Sequence, residues 1–262
     1  MIRFEGLGKS YGDLVAVDRI TFEIEAGRVF GFIGRNGAGK TTTIKMMMGL
    51  LEPTTGTAVL GGHDIRTSPR EAKAITGYLP DHPYLYDKLT GRELLHFVAG
   101  LYGVAPRERE ERADELLRDF ALEDRAGELT ETYSHGMKQR LALAGALIHR
   151  PRILVLDEPM VGLDPQGALD LRRLLARLAS EGVTIFLSTH SLPVAESLCD
   201  SIGVLDHGRL IALGTLDDLR GRATTSGNGE QDDAHPVRTG EVAAGSLEAI
   251  FLDLVGAADG QW

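Results

Sequence analysis

The sequence predicts an α/β fold in which a central sheet follows an antiparallel β region and is interrupted by a helical insertion. A strand pattern at residues 28–33 leads directly into a glycine-rich loop and then a helix. Apolar runs that suit strands buried on both faces recur at residues 153–156 and 183–188. Between the first strand and these runs, residues 90–149 change to the period of helices. We therefore expect an α/β core with a helical subdomain at about residues 82–150.

Length and charge limit the possible functions. The 262 residues suffice for one α/β domain with a subdomain. A formal net charge of −10 argues against a broad nucleic-acid surface, because phosphate backbones are bound by concentrated Lys and Arg. The start at Met1 lacks the apolar core of a signal peptide, and no apolar run approaches a membrane span, so we expect a soluble cytoplasmic chain. The single Cys199 lies in an apolar stretch, where we expect a buried, inert thiol.

The N-terminal region reads as antiparallel strands. Apolar and polar residues alternate at residues 2–4 and again at 20–24, with a turn-rich stretch at 8–13 between them. Tyr11 lies in this turn, which we expect to lie near the glycine-rich loop in the fold. Its ring could stack on an adenine or pack against a hairpin, and the spacing alone leaves both open.

The glycine-rich loop has the spacing of a phosphate-binding loop. It comprises Gly34, Arg35, Asn36, Gly37, Ala38, Gly39, Lys40, Thr41 and Thr42. Glycines let backbone N–H groups turn inward beside the N-terminus of the following helix, which together form an anion socket. Lys40 would add a charge for the β- and γ-phosphates, and Thr41 a hydroxyl for Mg²⁺. The alternative is a glycine-rich turn with a solvated lysine, but the flanking strand and helix favour a nucleoside triphosphate.

The helical block contains several clear helix starts. Thr90 and Glu93 form a capping-box pattern, and the helix after them has a predicted apolar face. That face comprises Leu94, Leu95, Val98, Leu101 and Tyr102. Ser134 and Gly136 lie where a later helix exposes unpaired N–H groups, which could be a second phosphate site or an ordinary helix cap.

Candidate catalytic residues lie at the C-terminal ends of two further predicted strands. Asp157 and Glu158 end the apolar run at 153–156, and His190 ends the run at 183–188. In an open α/β sheet these ends share one edge, where ligands bind. One carboxylate could complete a magnesium shell and the other orient water, and His190 could contact the terminal phosphate. The alternatives are carboxylates that cap the next segment and a structural histidine. The loop at 81–86 should reach the same edge.

The C-terminal part of the chain differs in composition. Residues 202–212 read as a hairpin at the edge of the sheet. Residues 221–245 are poor in large apolar side chains, so we interpret them as a flexible linker. Residues 246–262 should form a short amphipathic helix and a tail. The apolar face of that helix comprises Leu247, Ile250, Phe251 and Leu254.

Taken in order, these motifs resemble those of ATP-binding cassette ATPases, specifically the subunits of exporters whose membrane protein is a separate chain. Residues 34–42 resemble the Walker A loop, and residues 153–159 resemble Walker B with its catalytic glutamate. Residues 162–164 resemble the D-loop, and His190 matches the switch histidine. Residues 133–137 stand at the signature; they depart from the common Leu-Ser-Gly-Gly-Gln but resemble the Ser-His-Gly-Met-Lys-Gln variant of the exporter branch. The resemblance covers about residues 2–220.

This resemblance implies a P-loop nucleotide hydrolase core that binds ATP and Mg²⁺. It places Tyr11 against the adenine, in addition to the loop residues around the phosphates. Ser134 and Gly136 would contact the nucleotide held by a second subunit, in a homodimer or a heterodimer packed head to tail. Lys40 and Glu158 would act in catalysis together with the switch histidine.

The resemblance also implies a metal set and partners. Thr41 and Asp157 would hold Mg²⁺, and Asp81, which stands where most relatives carry glutamine, could reach it through water. The loop after Pro80 would link the nucleotide to a polytopic membrane permease, which would keep the chain at the inner face of the cell membrane. A repair or translation ATPase built on the same cassette is the alternative, but the single cassette, the single cysteine and the acidic balance oppose it.

Overall fold

The computed structural model describes residues 1–220 together with Leu247 and Phe251. The strands are β1 (Ile2–Tyr11), β2 (Leu14–Ile24), β3 (Val29–Ile33), β4 (Thr55–Leu60), β5 (His63–Asp64), β6 (Thr76–Leu79), β7 (Ile153–Asp157), β8 (Thr184–Thr189), β9 (Ser201–Asp206) and β10 (Arg209–Gly214). The helices are α1 (Lys40–Met47), α2 (Pro69–Ala74), α3 (Gly91–Leu101), α4 (Pro106–Asp119), α5 (His135–Leu147), α6 (Pro165–Ser180) and α7 (Leu192–Leu198).

The central sheet has six strands in the order β10-β9-β3-β8-β7-β6. All neighbouring pairs are parallel except β9 and β10, which form the predicted antiparallel hairpin at one edge. The strands β3, β7 and β8 are buried along their whole length, as their continuous apolar runs predict. Because these strands run in parallel, their carboxyl ends lie at one edge of the sheet.

A second, antiparallel sheet has the order β2-β1-β4-β5. The predicted antiparallel start is therefore confirmed, although β2 begins at Leu14, earlier than the alternation at residues 20–24 indicates. Tyr11 is the last residue of β1 and pairs with Leu14, so it ends a strand rather than lying in a free loop. The strand β1 lies between β2 and β4 and pairs antiparallel with both, which joins these strands into one sheet.

Five phenylalanines connect the two sheets. Phe4 and Phe22 of the antiparallel sheet stack with ring centroids 4.4 Å apart, and Phe22 lies 5.2 Å from Phe30 of β3. Phe186 of β8 is fully buried and lies 5.3 Å from Phe32. These spacings are those of favourable offset aromatic pairs. The cluster fixes the antiparallel sheet against β3, the strand that leads into the glycine-rich loop.

The helical insertion comprises α3, α4 and α5. The capping box at Thr90 is present, since its side chain accepts from the Glu93 N–H and the Glu93 carboxylate accepts from the Thr90 N–H. One part of the predicted apolar face is wrong: Leu101 is 70% exposed and Tyr102 is 39% exposed. Gly91, Leu94, Leu95 and Ala99 of α3 are buried, and Val98 packs partly buried against the same core. Leu101 lies at the end of α3, beyond the reach of that buried face.

The starts of two helices bear on the site. The helix α1 begins at Lys40, directly after Gly39 at the cap position. The helix α5 begins at His135, because the Ser134 hydroxyl accepts from the Met137 N–H and caps it.

The residues beyond 220 are described only in part. Leu247 and Phe251 are helical, and Leu247 is fully buried in the cluster that includes α7 residues. The remainder of the predicted C-terminal helix, including Ile250 and Leu254, and the predicted linker at 221–245 lie outside the described residues. Cys199 is buried as expected, and burial raises the pKa of its thiol to about 12. Within the residues that the structure describes, no helix is both long enough and apolar enough to cross a bilayer.

The aromatic cluster gives a stability prediction. Phe186→Ala should lower the free energy of unfolding by about 3–5 kcal/mol, because it leaves a cavity between the two sheets. Tyr84→Ala is the control, since that ring is 84% exposed, and should change stability by less than about 0.5 kcal/mol. Urea denaturation followed by circular dichroism measures both variants. Equal effects of the two substitutions would contradict the assigned role of the cluster.

Candidate nucleotide site at the carboxyl edge of the central sheet

The glycine-rich loop connects β3 to α1 and takes conformations that glycine permits. Gly37 and Gly39 have φ angles of +82° and +108°, in the left-handed region. A Cβ on Gly39 would lie 2.5 Å from the Ala16 carbonyl oxygen. A Cβ on Gly34 would collide with the carbonyl of Leu205. The backbone of the loop is therefore packed closely against neighbouring strands, at the N-terminus of α1.

Lys40 is a buried cation at the base of this loop. Only 7% of the residue is exposed, and its Nζ donates to the carbonyl oxygens of Gly34 at 2.7 Å and Arg35 at 3.2 Å. Nζ also lies 3.7 Å from Glu158 Oε1. Burial lowers the pKa of the Lys40 ammonium, while the carboxylates of Glu158 and Asp157 oppose that shift. The site thus holds a positive charge where the loop and the carboxylates meet.

Asp157 lies at the end of β7 and is 1% exposed. The Ser188 hydroxyl donates to Asp157 Oδ1 at 2.5 Å, and the Thr41 side chain bonds the same carboxylate. Burial raises the pKa of Asp157, and the two hydrogen bonds act in the opposite direction. The structure therefore brings together Thr41 and Asp157, which the sequence proposes as metal ligands.

Glu158 follows Asp157 in a strained backbone conformation. Its φ is +50°, which costs a non-glycine residue about 1–3 kcal/mol. Its N–H bonds both the carbonyl oxygen and the hydroxyl of Ser188, each at 3.2 Å. The His190 ring nitrogen Nδ1 lies 3.0 Å from Glu158 Oε2, and the His190 N–H donates to the same oxygen at 3.4 Å. The end of β8 therefore holds both the backbone and the carboxylate of Glu158.

Tyr11 and Asp81 lie at the periphery of this arrangement. Tyr11 is 51% exposed, so it does not pack inside the hairpin, and Lys9 Nζ lies 5.2 Å from the centre of its ring. Asp81 follows β6, and its Oδ2 lies 2.9 Å from His82 Nδ1. The negative charge of Asp81 contributes to the raised pKa of Asp157, which places the two carboxylates in the same electrostatic environment.

Ser134 and Gly136 lie at the N-terminus of α5, away from the glycine-rich loop. They line a cleft of about 690 Å³ between α5 and α6, which also includes residues 162–164 and Gln139. None of the loop residues 34–42 lines this cleft. The structure therefore brings Lys40, Asp157, Glu158 and His190 together within one chain, and none of these four side chains lines the cleft at the α5 N-terminus.

Sequence reasoning missed two residues of this region. Ser188 bonds both Asp157 and the Glu158 backbone, and a polar residue in an otherwise apolar buried strand was the signal for it. Gln139 is 6% exposed and donates to the Pro159 carbonyl oxygen. Gln139 ends the Ser-His-Gly-Met-Lys-Gln stretch, but the resemblance assigned it no role and its helical pattern does not indicate that it is buried.

The chain matches proteins of known family. Residues 17–161 match the family model described as ABC transporter. The chain is 41% identical over 97% of its length to the "Probable multidrug ABC transporter ATP-binding protein YbhF" of Escherichia coli (strain K12), of which it spans 42%. It is 39% identical over 85% of its length to the "Linearmycin resistance ATP-binding protein LnrL" of Bacillus subtilis (strain 168), of which it spans 71%.

Two solved structures share the fold over most of the chain. "Structure of ATP binding subunit of ABC transporter" superposes with a TM-score of 0.85 at 34% identity, and covers 97% of this chain and 99% of the other. A dimeric post-hydrolysis state of an ATP-binding cassette bound to ADP and Pi superposes with a TM-score of 0.76 at 25% identity, and covers 82% and 98%. With the glycine-rich loop and the carboxylates in place, the chain belongs to the ABC transporter family and has the fold of its ATP-binding cassette.

Proposed function

We propose that the chain is the ATP-hydrolysing subunit of an ABC exporter. The observation that carries this proposal is the pairing of Glu158 with His190 at 3.0 Å, beside the buried cation Lys40 at the end of the glycine-rich loop. A site for nucleotide binding alone has no need of a buried carboxylate oriented by a second titratable side chain.

Residues 34–42 would hold the phosphates of ATP. The loop N–H groups and the N-terminus of α1 supply donors, and Lys40 would exchange its bonds to the loop carbonyls for the β- and γ-phosphates. The half-exposed Tyr11 ring would stack on the adenine. Its position at the end of a hairpin that packs near the loop supports this role, since Ala16 lies against Gly39.

The residues present fit Mg²⁺ bound together with the nucleotide. Among the described residues, no group of three or more His, Cys, Asp and Glu side chains could hold a metal ion by itself. Thr41 and Asp157 nevertheless offer adjacent hard oxygen ligands, and Mg²⁺ commonly combines one or two such ligands with substrate phosphates. Asp81 would reach the ion through water. When bound, Mg²⁺ would neutralise charge that develops on the phosphates.

Hydrolysis would depend on Glu158 and its neighbours. Glu158 would orient the attacking water and accept its proton, because it is a largely buried carboxylate at the end of β7. His190 would hold the carboxylate in position and reach the terminal phosphate. Lys40 would stabilise negative charge on the phosphates during transfer.

A complete site would need a second cassette, in a homodimer or a heterodimer. Ser134 and Gly136 line a cleft separate from the loop of their own chain, yet they present the free N–H groups of a helix N-terminus. In a head-to-tail dimer, they would contact the γ-phosphate of the nucleotide held by the other subunit. The dimeric cassette bound to ADP and Pi supports this arrangement. A single chain would then bind ATP but hydrolyse it slowly.

The membrane partner would be a separate permease. The relatives' names, a multidrug transporter protein and a linearmycin resistance protein, support export, and they give no support to a nucleic-acid function. An exposed aromatic patch, defined here as Tyr84, Tyr86 and Phe97, follows β6 and reaches α3. Tyr86 lies 6.1 Å from Tyr84 and 5.2 Å from Phe97, edge to face in both pairs. Such a patch suits a partner surface, and its contact would hold the chain at the cytoplasmic face of the membrane.

Glu158→Gln tests the catalytic assignment. The amide keeps the size of the side chain but cannot accept a proton, so the rate of ATP hydrolysis should fall by about 10²–10⁴-fold. ATP affinity should not weaken, because the loop residues are unchanged. Steady-state phosphate release and nucleotide binding measure the two effects. Glu71→Gln on exposed α2 is the control, and a Glu158→Gln protein with normal turnover would refute the assignment.

The aromatic patch gives a prediction about coupling. Tyr84→Ala combined with Tyr86→Ala should abolish most of the stimulation of ATP hydrolysis by the membrane subunit and leave the basal rate within about twofold, since neither ring touches the nucleotide site. Leu50→Ala, another exposed apolar side chain, serves as control. The measurement is the ATPase rate with and without the membrane subunit that co-purifies with the chain. Unchanged stimulation would show that the partner binds elsewhere.

A further inference from the structure

Gln139 makes one buried contact outside its own helix. Its side-chain Nε2 donates to the Pro159 carbonyl oxygen at 2.6 Å, and its Oε1 is buried without a hydrogen-bond partner among the described residues. The reverse orientation of the amide would place two acceptor oxygens against each other, so the donor orientation is the one that the site permits. The contact connects the second turn of α5 to the segment that follows β7.

The acceptor lies next to the strained residue of the catalytic edge. Pro159 follows Glu158, whose φ is +50°. Proline has no N–H, so its carbonyl is the one backbone group of Pro159 that can form a hydrogen bond. A bond to that carbonyl restrains the peptide between Pro159 and Met160, one residue beyond Glu158, and so limits how far the backbone after Glu158 can move. Gln139 and Ser188 therefore hold the strained residue from its two sides, Ser188 through the Glu158 N–H.

A second contact joins α5 to the same segment. A Cβ on Gly162 would lie 2.6 Å from Nε2 of the His135 ring, so the ring rests directly on this glycine. The φ of Gly162 is +78°, which also favours glycine. Residues 159–162 thus contact α5 at its first residue and again at Gln139.

We propose that Gln139 is a positioning residue that fixes Glu158 relative to the N-terminus of α5. Its side-chain hydrogen bond goes to Pro159, and not to the glycine-rich loop or to Lys40. The consequence rests on the proposed function. In a head-to-tail dimer, the α5 N-terminus of each chain contacts the nucleotide bound by the partner, whereas Glu158 acts on the nucleotide bound by its own chain. The bond from Gln139 to Pro159 then links the two sites, so that engagement of Ser134 by one nucleotide aligns the carboxylate that acts on the other.

Gln139→Met is the matched test. Methionine keeps the unbranched length of glutamine but has no donor, so it preserves packing and removes the bond to Pro159. We expect the turnover rate to fall by about tenfold or more, because small misplacements of a catalytic group cost that much. The Hill coefficient for ATP should drop from near 2 towards 1. ATP affinity of the single chain should stay unchanged.

Gln166→Met is the control. Gln166 lines the same cleft, but its amide bonds Asp170 on its own helix at 2.9 Å and is exposed. This variant should keep both the rate and the Hill coefficient.

Gln139→Glu is a second test variant. Its carboxylate has the shape of the amide but repels the Pro159 carbonyl oxygen, so this variant should lose at least as much activity as Gln139→Met. Thermal unfolding midpoints establish that each variant is folded.

Amide hydrogen exchange tests the link without requiring hydrolysis. In the unmodified chain, a slowly hydrolysed ATP analogue with Mg²⁺ should slow exchange over residues 134–141, and Gln139→Met should remove that protection. If the unmodified chain binds the analogue but does not hydrolyse ATP, the proposed function fails. The difference in exchange between the unmodified chain and Gln139→Met then decides by itself whether Gln139 is a positioning residue. A folded Gln139→Met protein with normal cooperativity and normal protection would overturn the proposal.

Discussion

The parallel register of β7 against β8 is the constraint on which the candidate site depends. It pairs Asp157 with Ser188, so one hydroxyl can bond the Asp157 carboxylate and also meet the N–H of Glu158. The next residues along each strand are then Glu158 and, after Thr189, His190, whose side chains meet at 3.0 Å. A register shift of one residue would turn Ser188 to the other face of the sheet and remove these contacts together.

The buried charges at this edge have partners that lower the free-energy cost of removing them from water. Lys40 is 7% exposed and Asp157 is 1% exposed, so each would be expensive to bury alone. Loop carbonyls and Glu158 surround the ammonium, while Ser188 and Thr41 donate to the carboxylate. The phenylalanine cluster beneath β3 and β8 keeps the strands that carry these groups in fixed positions. These contacts keep Glu158 in its unfavourable backbone conformation. Such strain is typical of a residue that is selected for the orientation of its side chain rather than for stability of the fold.

Much of this organisation could be predicted from the sequence because its signals are local. The glycine spacing, the buried strand runs and the caps at Thr90 and Ser134 each depend on neighbouring residues, and the structure confirms them. Long-range contacts could not be predicted in the same way. Gln139 reaches Pro159 across 20 positions, and nothing in a helical pattern distinguishes a buried glutamine from a solvated one.

One prediction was wrong and others stay untested, for related physical reasons. Leu101 is exposed, because periodicity gives the apolar face of a helix but not where the packing beneath it ends. The stacking role of Tyr11 stays a prediction, since its half-exposed ring at the end of β1 is compatible with stacking but does not require it. The roles of Ser134 and Gly136 depend on a second chain, about which a single sequence carries no positional information.

The central claim is that each hydrolytic site combines residues of two chains, and mixing two inactive variants tests it most directly. Lys40→Ala disables the phosphate loop, and Ser134→Arg blocks the α5 N-terminus, so each homodimer should be nearly inactive. In a mixed head-to-tail dimer both defects fall in one site, which leaves the other site with an intact loop and an intact α5. The account predicts that mixing restores measurable ATP hydrolysis. Each mixed dimer has one intact site, so it should reach up to about half of the rate of an unmodified dimer if the sites act independently, and less if they cooperate. Absence of any recovery in mixtures shown to contain mixed dimers would contradict it.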